Sequence, residues 1–332
     1  MKDRASLYLR LNGIPTESVE GIDETSFAFD GMWSWRPSKG DSLYKVEDVC
    51  VRLHDDVASK IFGTLGTYYR LLPQIPEFMF TAGMNSESNM PRQAFETIVN
   101  SNSSDITFNK LLYLYDCRKL ISGIQECNKE VVILLGEFYR GFNLDPLFSA
   151  EVEEPDGVRF VSSPTTTKIL SHLSFIFIRL YSLLDYTTKL VVELEKLRSV
   201  FDRYPKLASA NFLYGDRDKV SFCGQPDTLF ENCDLIREID IYRNLLVHDG
   251  LLDDMPKIYK VVRDGRTIEK FILMPDRGVE GRFEKFKNRG LFYSREDKIN
   301  LRLPSMIEEF QLRQHRTMEV AREKFVADKN AT

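Results

Sequence analysis

The chain has 332 residues, of which 43% are hydrophobic and 29% charged, and its formal net charge is −5 at pH 7. At roughly 100 to 200 residues per domain, this length predicts about two domains, each with its own core. The longest stretch without Asp, Glu, Lys or Arg runs from Ile169 to Ile178. Because a membrane helix needs roughly 18 or more apolar residues, we expect no membrane span. Arg10 lies where a secretory signal would be apolar, which predicts a cytoplasmic protein.

The amino-terminal part of the sequence is predicted to be mostly helical. Residues 1 to 45 alternate and contain turn formers, which indicates short strands or an irregular cap. Val46 to Leu72 predicts a helix, and Asp105 to Phe142 predicts a long one. We therefore assign residues 1–150 to a mostly helical domain, whose role the sequence does not indicate.

A second helical domain, residues 163–332, is predicted after a boundary rich in Pro, Ser, Thr and acids between Leu144 and Thr167. The pattern predicts helices over Thr166 to Tyr204, from Asp227 to a terminating Gly250, and over Pro304 to Asp328, with Pro304 in its first turn. Asp264-Gly265 predicts a β-hairpin over about residues 257–275. The fold class expected is mainly α, with this hairpin as an insertion in the second domain.

Cofactor and metal sites are not predicted. The five cysteines are odd in number and contain no C-x-x-C pair, which favours buried thiols over disulfides or a zinc site. His54, His172 and His315 lack the spacing of metal ligands or of a catalytic triad. The common nucleotide-binding and hydrolase motifs are absent from the sequence.

The segment from residue 227 to 250 has an unusual polar face. At about 100° per residue, Leu235, Ile239, Tyr242 and Leu246 form one apolar stripe. Asp240, Asn244 and His248 project opposite that stripe and Arg243 lies at its flank. His248 is therefore predicted to face away from the core, where the alternative to a function is an ordinary solvated histidine.

Arg243-Asn244-Leu245-Leu246-Val247-His248 resembles the R-x(4-6)-H signature of the HEPN domains, an all-helical superfamily that contains many ribonucleases. The helix around Leu180 to Tyr186 is similar to an early helix of the HEPN bundle, and the resemblance covers roughly residues 163–332. It implies a metal-independent endoribonuclease that leaves a 2′,3′-cyclic phosphate. Arg243 and His248 would be catalytic and Asn244 would orient them. A toxin or anti-phage defence effector, with an antitoxin or other regulatory partner, is the corresponding biological expectation.

A homodimer is expected for two reasons. The resemblance implies that the motifs of two domains build one composite site, and this chain contains one motif. Residues five apart on one α-helix also diverge by roughly 140°, so we expect Arg243 and His248 of a single chain not to grip the same small group. A symmetric contact through the Arg243 to His248 region would bring two motifs together.

Two acids are candidate supports for the motif. Asp240 shares the polar face and could fix the imidazole tautomer or hold Arg243, or it could be an ordinary surface charge. Asp185 could support Arg243 across the bundle, although a solvated carboxylate is the favoured interpretation.

The negative net charge conceals a basic segment. Residues 256–332 hold 18 basic and 12 acidic side chains, whereas the preceding residues have an acidic excess. This segment could supply an RNA-binding rim, or it could be a solvated charged surface. The candidates that we assign to RNA binding are Arg263, Arg266, Lys270, Arg282, Lys285 and Lys287, with Arg277 and Arg289 in the same segment.

Two other functions remain open. A HEPN-like module without nuclease activity could bind a nucleotide or a protein partner, with residues 1–150 for recognition. A purely structural helical scaffold would instead use Arg243 as a salt-bridge partner and expose His248.

Overall fold

A computed structural model describes residues 7–17, 25–32, 34–147, 154–250 and 252–327. Helices dominate the described chain, in agreement with the predicted mainly α class. The α-helices are α1 Ser42–Phe62, α2 Leu65–Leu71, α3 Phe78–Thr81, α4 Arg92–Ser101, α5 Ile106–Leu144, α6 Pro164–Glu195, α7 Asp234–Asn244 and α8 Ile299–Ala327. Short 3-10 helices lie at Leu72–Gln74 and Tyr214–Lys219, and a π-helical turn, here called the π turn, lies at Leu245–Asp249.

Two antiparallel three-stranded sheets accompany the helices. The first contains β1 Tyr8–Leu9, β2 Phe27–Phe29 and β3 Trp35–Pro37, and the second contains β4 Gly157–Val161, β5 Ile258–Arg263 and β6 Arg266–Phe271, each in sequence order. The predicted hairpin is β5–β6, and both turn residues have positive φ, 51° at Asp264 and 69° at Gly265. Strand β4 was not expected, because it lies within the polar stretch that the sequence marked as a domain boundary. It pairs with β5, with Val161 opposite Ile258.

The chain forms two compact units that each draw on three stretches of sequence. Unit 1 comprises residues 1–42, 128–182 and 232–311, and unit 2 comprises 43–127, 183–231 and 312–332. Each unit thus takes residues from both predicted domains, because helices α5, α6 and α8 contribute residues to both units. The predicted division into two independently folding domains, residues 1–150 and 163–332, stays a prediction.

The core of unit 1 contains stacked aromatic rings, and the buried amide side chain of Asn300 connects two other segments of the chain. Phe27 of β2 stacks on Tyr139 of α5 with ring centroids 4.3 Å apart. The side chain of buried Asn300 accepts from the Ile272 N–H at 3.0 Å and donates to the Leu11 carbonyl at 2.7 Å. A Cβ added to Gly136 of α5 would lie 2.1 Å from the Trp35 carbonyl oxygen, so this close approach of helix and strand requires glycine.

Polar side chains in unit 2 explain why helix α6 ends at Glu195 and not at Tyr204 as predicted. The backbone N–H of Arg198 donates to Tyr113 Oη at 3.1 Å, and Asn109 of α5 donates to the Phe201 carbonyl at 3.1 Å. Tyr204 donates to Asp116 at 2.5 Å. These α5 side chains bind the segment after Glu195 in a non-helical conformation, a competition that periodicity alone does not reveal.

Three other predicted helix limits were wrong. The helix expected over Val46 to Leu72 is interrupted at Gly63, whose φ of 82° is incompatible with a right-handed helix. The motif helix begins at Asp234 and not at Asp227, which has a φ of 61° and lies in a turn. Helix α8 begins at Ile299, so Pro304 lies inside it and not at its first turn.

Two expectations from composition have mixed outcomes. Cys50, Cys117 and Cys127 are buried as expected, but Cys223 is exposed and Cys233 is half-buried. Helix α6 is long and apolar enough to span a membrane by length and composition. Core helices of soluble proteins pass the same test, and α6 buries Ile176, Leu180 and Leu183 within the protein.

Candidate functional site

The inner face of α7 fixes the orientation of the motif. Leu235, Ile239 and Tyr242 are buried, as the predicted stripe requires. The Tyr242 ring lies 4.8 Å from that of Phe177 and 5.4 Å from that of Phe283, between ring centroids. Packing of this side into unit 1 turns the opposite, polar side of α7 outward.

The helix widens into the π turn at the motif. The Gly250 N–H donates to the Leu245 carbonyl at 2.9 Å, an i to i+5 bond, and Gly250 then ends the helix with a φ of 113°. The wider turn rotates the following side chains relative to an α-helix. Leu245 is therefore buried and Leu246 only half-buried, although the α-helical projection placed Leu246 in the core stripe.

Arg243 and His248 of the same chain are in contact. The Arg243 Nη1 atom lies 3.4 Å from His248 Nε2, and the imidazole is exposed. The prediction that two residues five apart diverge too far to serve one small group was wrong, because it assumed α-helical rotation. Arg243 lies near the end of α7 and His248 lies in the π turn, and the wider turn between them reduces the angle by which their side chains diverge.

Asn244 connects this pair to Asp240. Its Oδ1 accepts from Arg243 Nη1 at 2.8 Å, and its Nδ2 donates to Asp240 Oδ1 at 3.1 Å. Because a guanidinium only donates and a carboxylate only accepts, the two neighbours determine the orientation of the amide. Asp240 therefore positions Arg243 through Asn244, and this link replaces the direct contact with Arg243 or His248 that the sequence suggested.

Tyr181 of α6 is a site residue to which the sequence assigned no role. The guanidinium carbon of Arg243 lies 4.6 Å from the centre of the Tyr181 ring. Arginine stacks well on aromatic faces, so the ring limits the positions open to Arg243. The stretch from Leu180 to Tyr186 was singled out for its resemblance to an early helix of the HEPN bundle, and nothing in that resemblance pairs Tyr181 with Arg243.

Asp185 has a structural contact. Its Oδ1 accepts a hydrogen bond of 2.8 Å from the backbone N–H of Tyr214, at the start of the 3-10 helix Tyr214–Lys219. The carboxylate therefore satisfies a helix-end donor, and this contact accounts for the residue without the predicted support of Arg243.

The RNA-binding candidates fall into different environments. Lys270 lies within the fold, since its Nζ donates to the Phe142 carbonyl at 2.9 Å and the Asn143 carbonyl at 3.3 Å at the end of α5. Burial, with a smaller contribution from Lys260, lowers the pKa of Lys270 to about 8. Arg263 and Arg266 are exposed and flank the tip of the β5–β6 hairpin. Assignment of Lys270 to an RNA surface does not agree with its position.

An open groove of about 680 Å³ lies beside the π turn. Leu245 and Asp249 of the π turn line one part of it, and Lys285, Lys287 and Arg289 line another. Arg282 is exposed in the same loop. Of the six predicted RNA-binding residues, all of which lie in the described chain, Lys285 and Lys287 are the ones that line this groove.

A second polar cluster on α7 centres on buried Glu238, whose charged partners Arg277 and Arg302 are half-buried. Glu238 forms ion pairs with Arg277 at 2.8 Å and with Arg302 at 2.6 Å, and Arg302 also binds Asp297 at 2.7 Å. Although burial acts to lower it, the pKa of Arg302 is raised by its hydrogen bonds and charge interactions with Asp297 and Glu238. Arg277, from the basic segment, is therefore part of the fold.

Neither a candidate metal site nor a similar known protein adds to the description of this site. Among the described residues there is no group of three or more His, Cys, Asp or Glu side chains arranged to hold a metal ion. Comparison of the chain with protein-family models, with curated proteins and with solved structures gave no match.

Proposed function

We propose that the protein is a metal-independent endoribonuclease of HEPN type, with Arg243 and His248 as its catalytic residues. The observation that carries this proposal is the 3.4 Å approach of the Arg243 guanidinium to the exposed His248 imidazole. A group that takes a proton and a cation that binds phosphate are two of the functions that RNA cleavage by the 2′-hydroxyl requires. Asn244 and Asp240 hold the cation in place, which supports a preorganised site.

The proposed reaction is a transesterification followed by release. His248 takes the proton of a ribose 2′-hydroxyl, and the 2′-oxygen forms a bond to the adjacent phosphorus. The bond from phosphorus to the 5′-oxygen breaks, and the leaving oxygen receives a proton from water or from a second imidazole. Arg243 offsets the negative charge that grows on the phosphoryl oxygens. The products are a 2′,3′-cyclic phosphate and a 5′-hydroxyl.

The Arg243–His248 contact is long for a hydrogen bond between nitrogen atoms. The 3.4 Å distance exceeds the 2.7 to 3.2 Å that is typical of hydrogen bonds from N–H donors, so the contact is weak. A substrate can therefore replace this contact at little cost in free energy. A phosphate would take the free donors of Arg243, while the imidazole would turn to the hydroxyl. Such tightening on substrate binding is common at catalytic sites.

The proposal includes a homodimer, and the resemblance of the motif is the only support for it. The geometric reason for it is removed by the π turn, which places both residues together within one chain. A second copy facing the same groove would add the imidazole that protonates the leaving oxygen. Sedimentation equilibrium of the purified protein tests this point, with a mass of twice 38.6 kDa expected.

The proposed activity is tested by incubation of the purified protein with total RNA, with and without a chelator. We expect cleavage in both samples, and products that carry a 2′,3′-cyclic phosphate and a 5′-hydroxyl. Cleavage that the chelator abolishes, or products that end in a 5′-phosphate, would contradict the proposed chemistry. RNA that remains intact under all conditions would favour the alternative, a HEPN-like module that binds a nucleotide or protein partner.

The biological role that goes with the proposal is that of a toxin or anti-phage effector restrained by an antitoxin or regulatory partner. Its support is the resemblance of the motif alone. Expression of the wild-type chain in a bacterial host should slow growth, and expression of an Arg243→Ala variant should not. Equal growth of both cultures would contradict this role without bearing on the chemistry.

A further inference from the structure

The loop between β6 and α8 carries an exposed aromatic side chain that the proposed mechanism does not use. Phe286 is 64% exposed, whereas phenylalanine is among the residues that proteins most often bury. Its neighbours along the chain are Lys285 and Lys287, and the Lys287 ammonium lies 5.5 Å from the centre of the Phe286 ring. An exposed ring between cations is the arrangement that proteins use to bind single nucleic-acid strands.

The backbone around Phe286 is held in a defined turn. The Phe286 N–H donates to the Arg289 carbonyl at 2.8 Å, and the Arg289 N–H donates back to the Phe286 carbonyl at 3.0 Å. Lys287 within this turn has a φ of 54°. The ring and the neighbouring cations are therefore presented by a fixed backbone.

The base of the same loop is braced by buried Asp276. Its carboxylate accepts from the Ser294 N–H at 2.7 Å, from the Ser294 hydroxyl at 2.6 Å and from the Arg295 N–H at 3.0 Å. Burial raises the pKa of Asp276, but these hydrogen bonds outweigh that effect and hold the pKa below its usual range. The loop is thus anchored to unit 1 at its base.

The cations of the turn are available to a ligand. Among the residues that the structure describes, no carboxylate pairs with Lys285, Lys287 or Arg289. Arg277 and Arg295, in the same segment, are instead paired with Glu238 and Glu284. The cations nearest Phe286 therefore have no carboxylate partner in the described chain, whereas Arg277 and Arg295 each have one.

The groove extends from this turn to the π turn that contains His248. Lys285, Lys287 and Arg289 line it together with Leu245 and Asp249, which belong to the same π turn as His248. Asp249 and Asp254 give the groove an acidic part, which repels phosphate and directs it toward the basic part. A strand that follows the basic part would contact Lys285 and Lys287, the residues on either side of Phe286 in the chain.

We infer that the Phe286–Arg289 turn is a subsite for one unpaired nucleotide of the RNA substrate, with Phe286 stacking on the base and Lys285, Lys287 and Arg289 holding flanking phosphates. This inference rests on the proposed function for the identity of the strand. A paired base cannot lie on the ring without leaving its duplex, so the subsite acts on single-stranded RNA. Because a stacking ring contacts every base through its π face, it gives little sequence preference.

The test measures binding in a cleavage-deficient background. The affinity of H248A for a labelled single-stranded RNA of about 12 nucleotides, a length within the range of single-strand sites, is compared with that of H248A carrying F286A, F286W or F160A. Phe160 is a matched control, since it is 55% exposed on strand β4. We expect F286A to weaken binding by about 10-fold, and F286W and F160A to bind like the parent. The indole fluorescence that F286W adds should fall when RNA binds.

Duplex RNA and salt separate stacking from general attraction. F286A should leave the affinity for a duplex of the same sequence unchanged. Removal of one phosphate-binding lysine, in K285A or in K287A, should reduce the slope of log affinity against log salt by about 0.7. Parent-like binding of single strands by F286A, or an equal reduction in affinity for duplex and single strand, would overturn the inference.

The inference and the proposed function fail separately. Weaker binding by F286A together with intact RNA in the wild-type cleavage assay would contradict the nuclease and leave the subsite standing. RNA cleavage by the wild-type protein together with parent-like binding by F286A would contradict the subsite alone.

Discussion

Helix α7 carries two polar clusters that differ in burial and in the partners of each charge. On one side, the Glu238 carboxylate lies in the protein with two arginines, and Arg302 also binds Asp297. On the other side, Asp240, Asn244 and Arg243 form a chain of hydrogen bonds that ends at the exposed imidazole of His248. The buried cluster has each oxygen of Glu238 bound to an arginine, whereas the exposed chain ends at a group open to solvent.

The difference separates charges that hold the fold from charges that are open to a ligand. Removal of one member of a buried pair leaves an uncompensated charge in a poor dielectric, so the cost falls on stability. A partly exposed hydrogen-bonded chain contributes little to stability, so its cost should fall on activity.

Glu238→Ala should have the largest effect on stability. The variant removes the carboxylate shared by Arg277 and Arg302. Because Arg302 keeps Asp297 and both arginines are partly exposed, we expect the free energy of unfolding to fall by about 1 to 3 kcal/mol. Urea denaturation followed by circular dichroism measures this decrease. Asp240→Ala is the matched control on the same helix, and it should change the free energy by about 0.5 kcal/mol or less. Equal decreases for the two variants would remove the distinction between the clusters.

Arg243→Ala should reduce RNA cleavage by about 100-fold or more, the usual effect of removing a group that stabilises transition-state charge. Its unfolding curve should stay close to that of the wild type, because the guanidinium is only partly buried. Arg243→Lys should not restore the rate, since an ammonium lacks the planar fork that contacts both Asn244 and phosphate. Full activity of the lysine variant would show that charge alone is needed.

Asp240→Asn should have a smaller effect, because Asp240 acts through Asn244. The neutral amide keeps the shape but weakens the hydrogen bond from Asn244 Nδ2, so Arg243 is held less firmly. We expect a cleavage rate about 10-fold lower, with an unchanged KM, which corresponds to about 1.4 kcal/mol of transition-state stabilisation. An increase in KM alone would place Asp240 in substrate binding.

Lys270 should give an effect that appears only as a pH dependence of stability and not as a change in cleavage. Its pKa is lowered from the ordinary value of 10.5 to about 8 by burial, so between those values the unfolded chain binds more protons than the folded one. Stability from this group should therefore rise as pH increases from about 8 to about 10, and stay flat below about 8. Urea denaturation across this range checks the slope, and Lys270→Met should remove it. The same slope in the variant would assign it to other groups.

The sequence predicted the parts of the fold that depend on periodicity or on special turn residues. The long α5 helix, the buried Val49, Leu53 and Val57 of α1, and the Asp264-Gly265 hairpin all appear in the structure. It did not predict strand β4, whose residues are mostly exposed and which forms by pairing with a distant part of the chain. The early end of α6 was also missed, since it depends on side chains of α5.

At the site, the sequence identified residue types and the outward face but not the contacts. Arg243, Asn244 and His248 follow from the motif, whereas the π turn that joins them is set by local hydrogen bonding that residue spacing does not show. Tyr181 reaches Arg243 only through tertiary packing. Phe286 had a visible signal, since the sequence places it between two lysines, but an exposed position could be recognised only in the folded chain.

The most direct test of the account is the single-turnover rate of RNA cleavage by His248→Ala. His315→Ala is the control, because it removes a partly buried histidine that contacts Glu319 at 3.5 Å in unit 2. We predict that His248→Ala cleaves at least about 100-fold more slowly than the wild type with an unchanged circular dichroism spectrum, and that His315→Ala cleaves at the wild-type rate. Wild-type cleavage by a folded His248→Ala variant would contradict the assignment of the motif as the catalytic site.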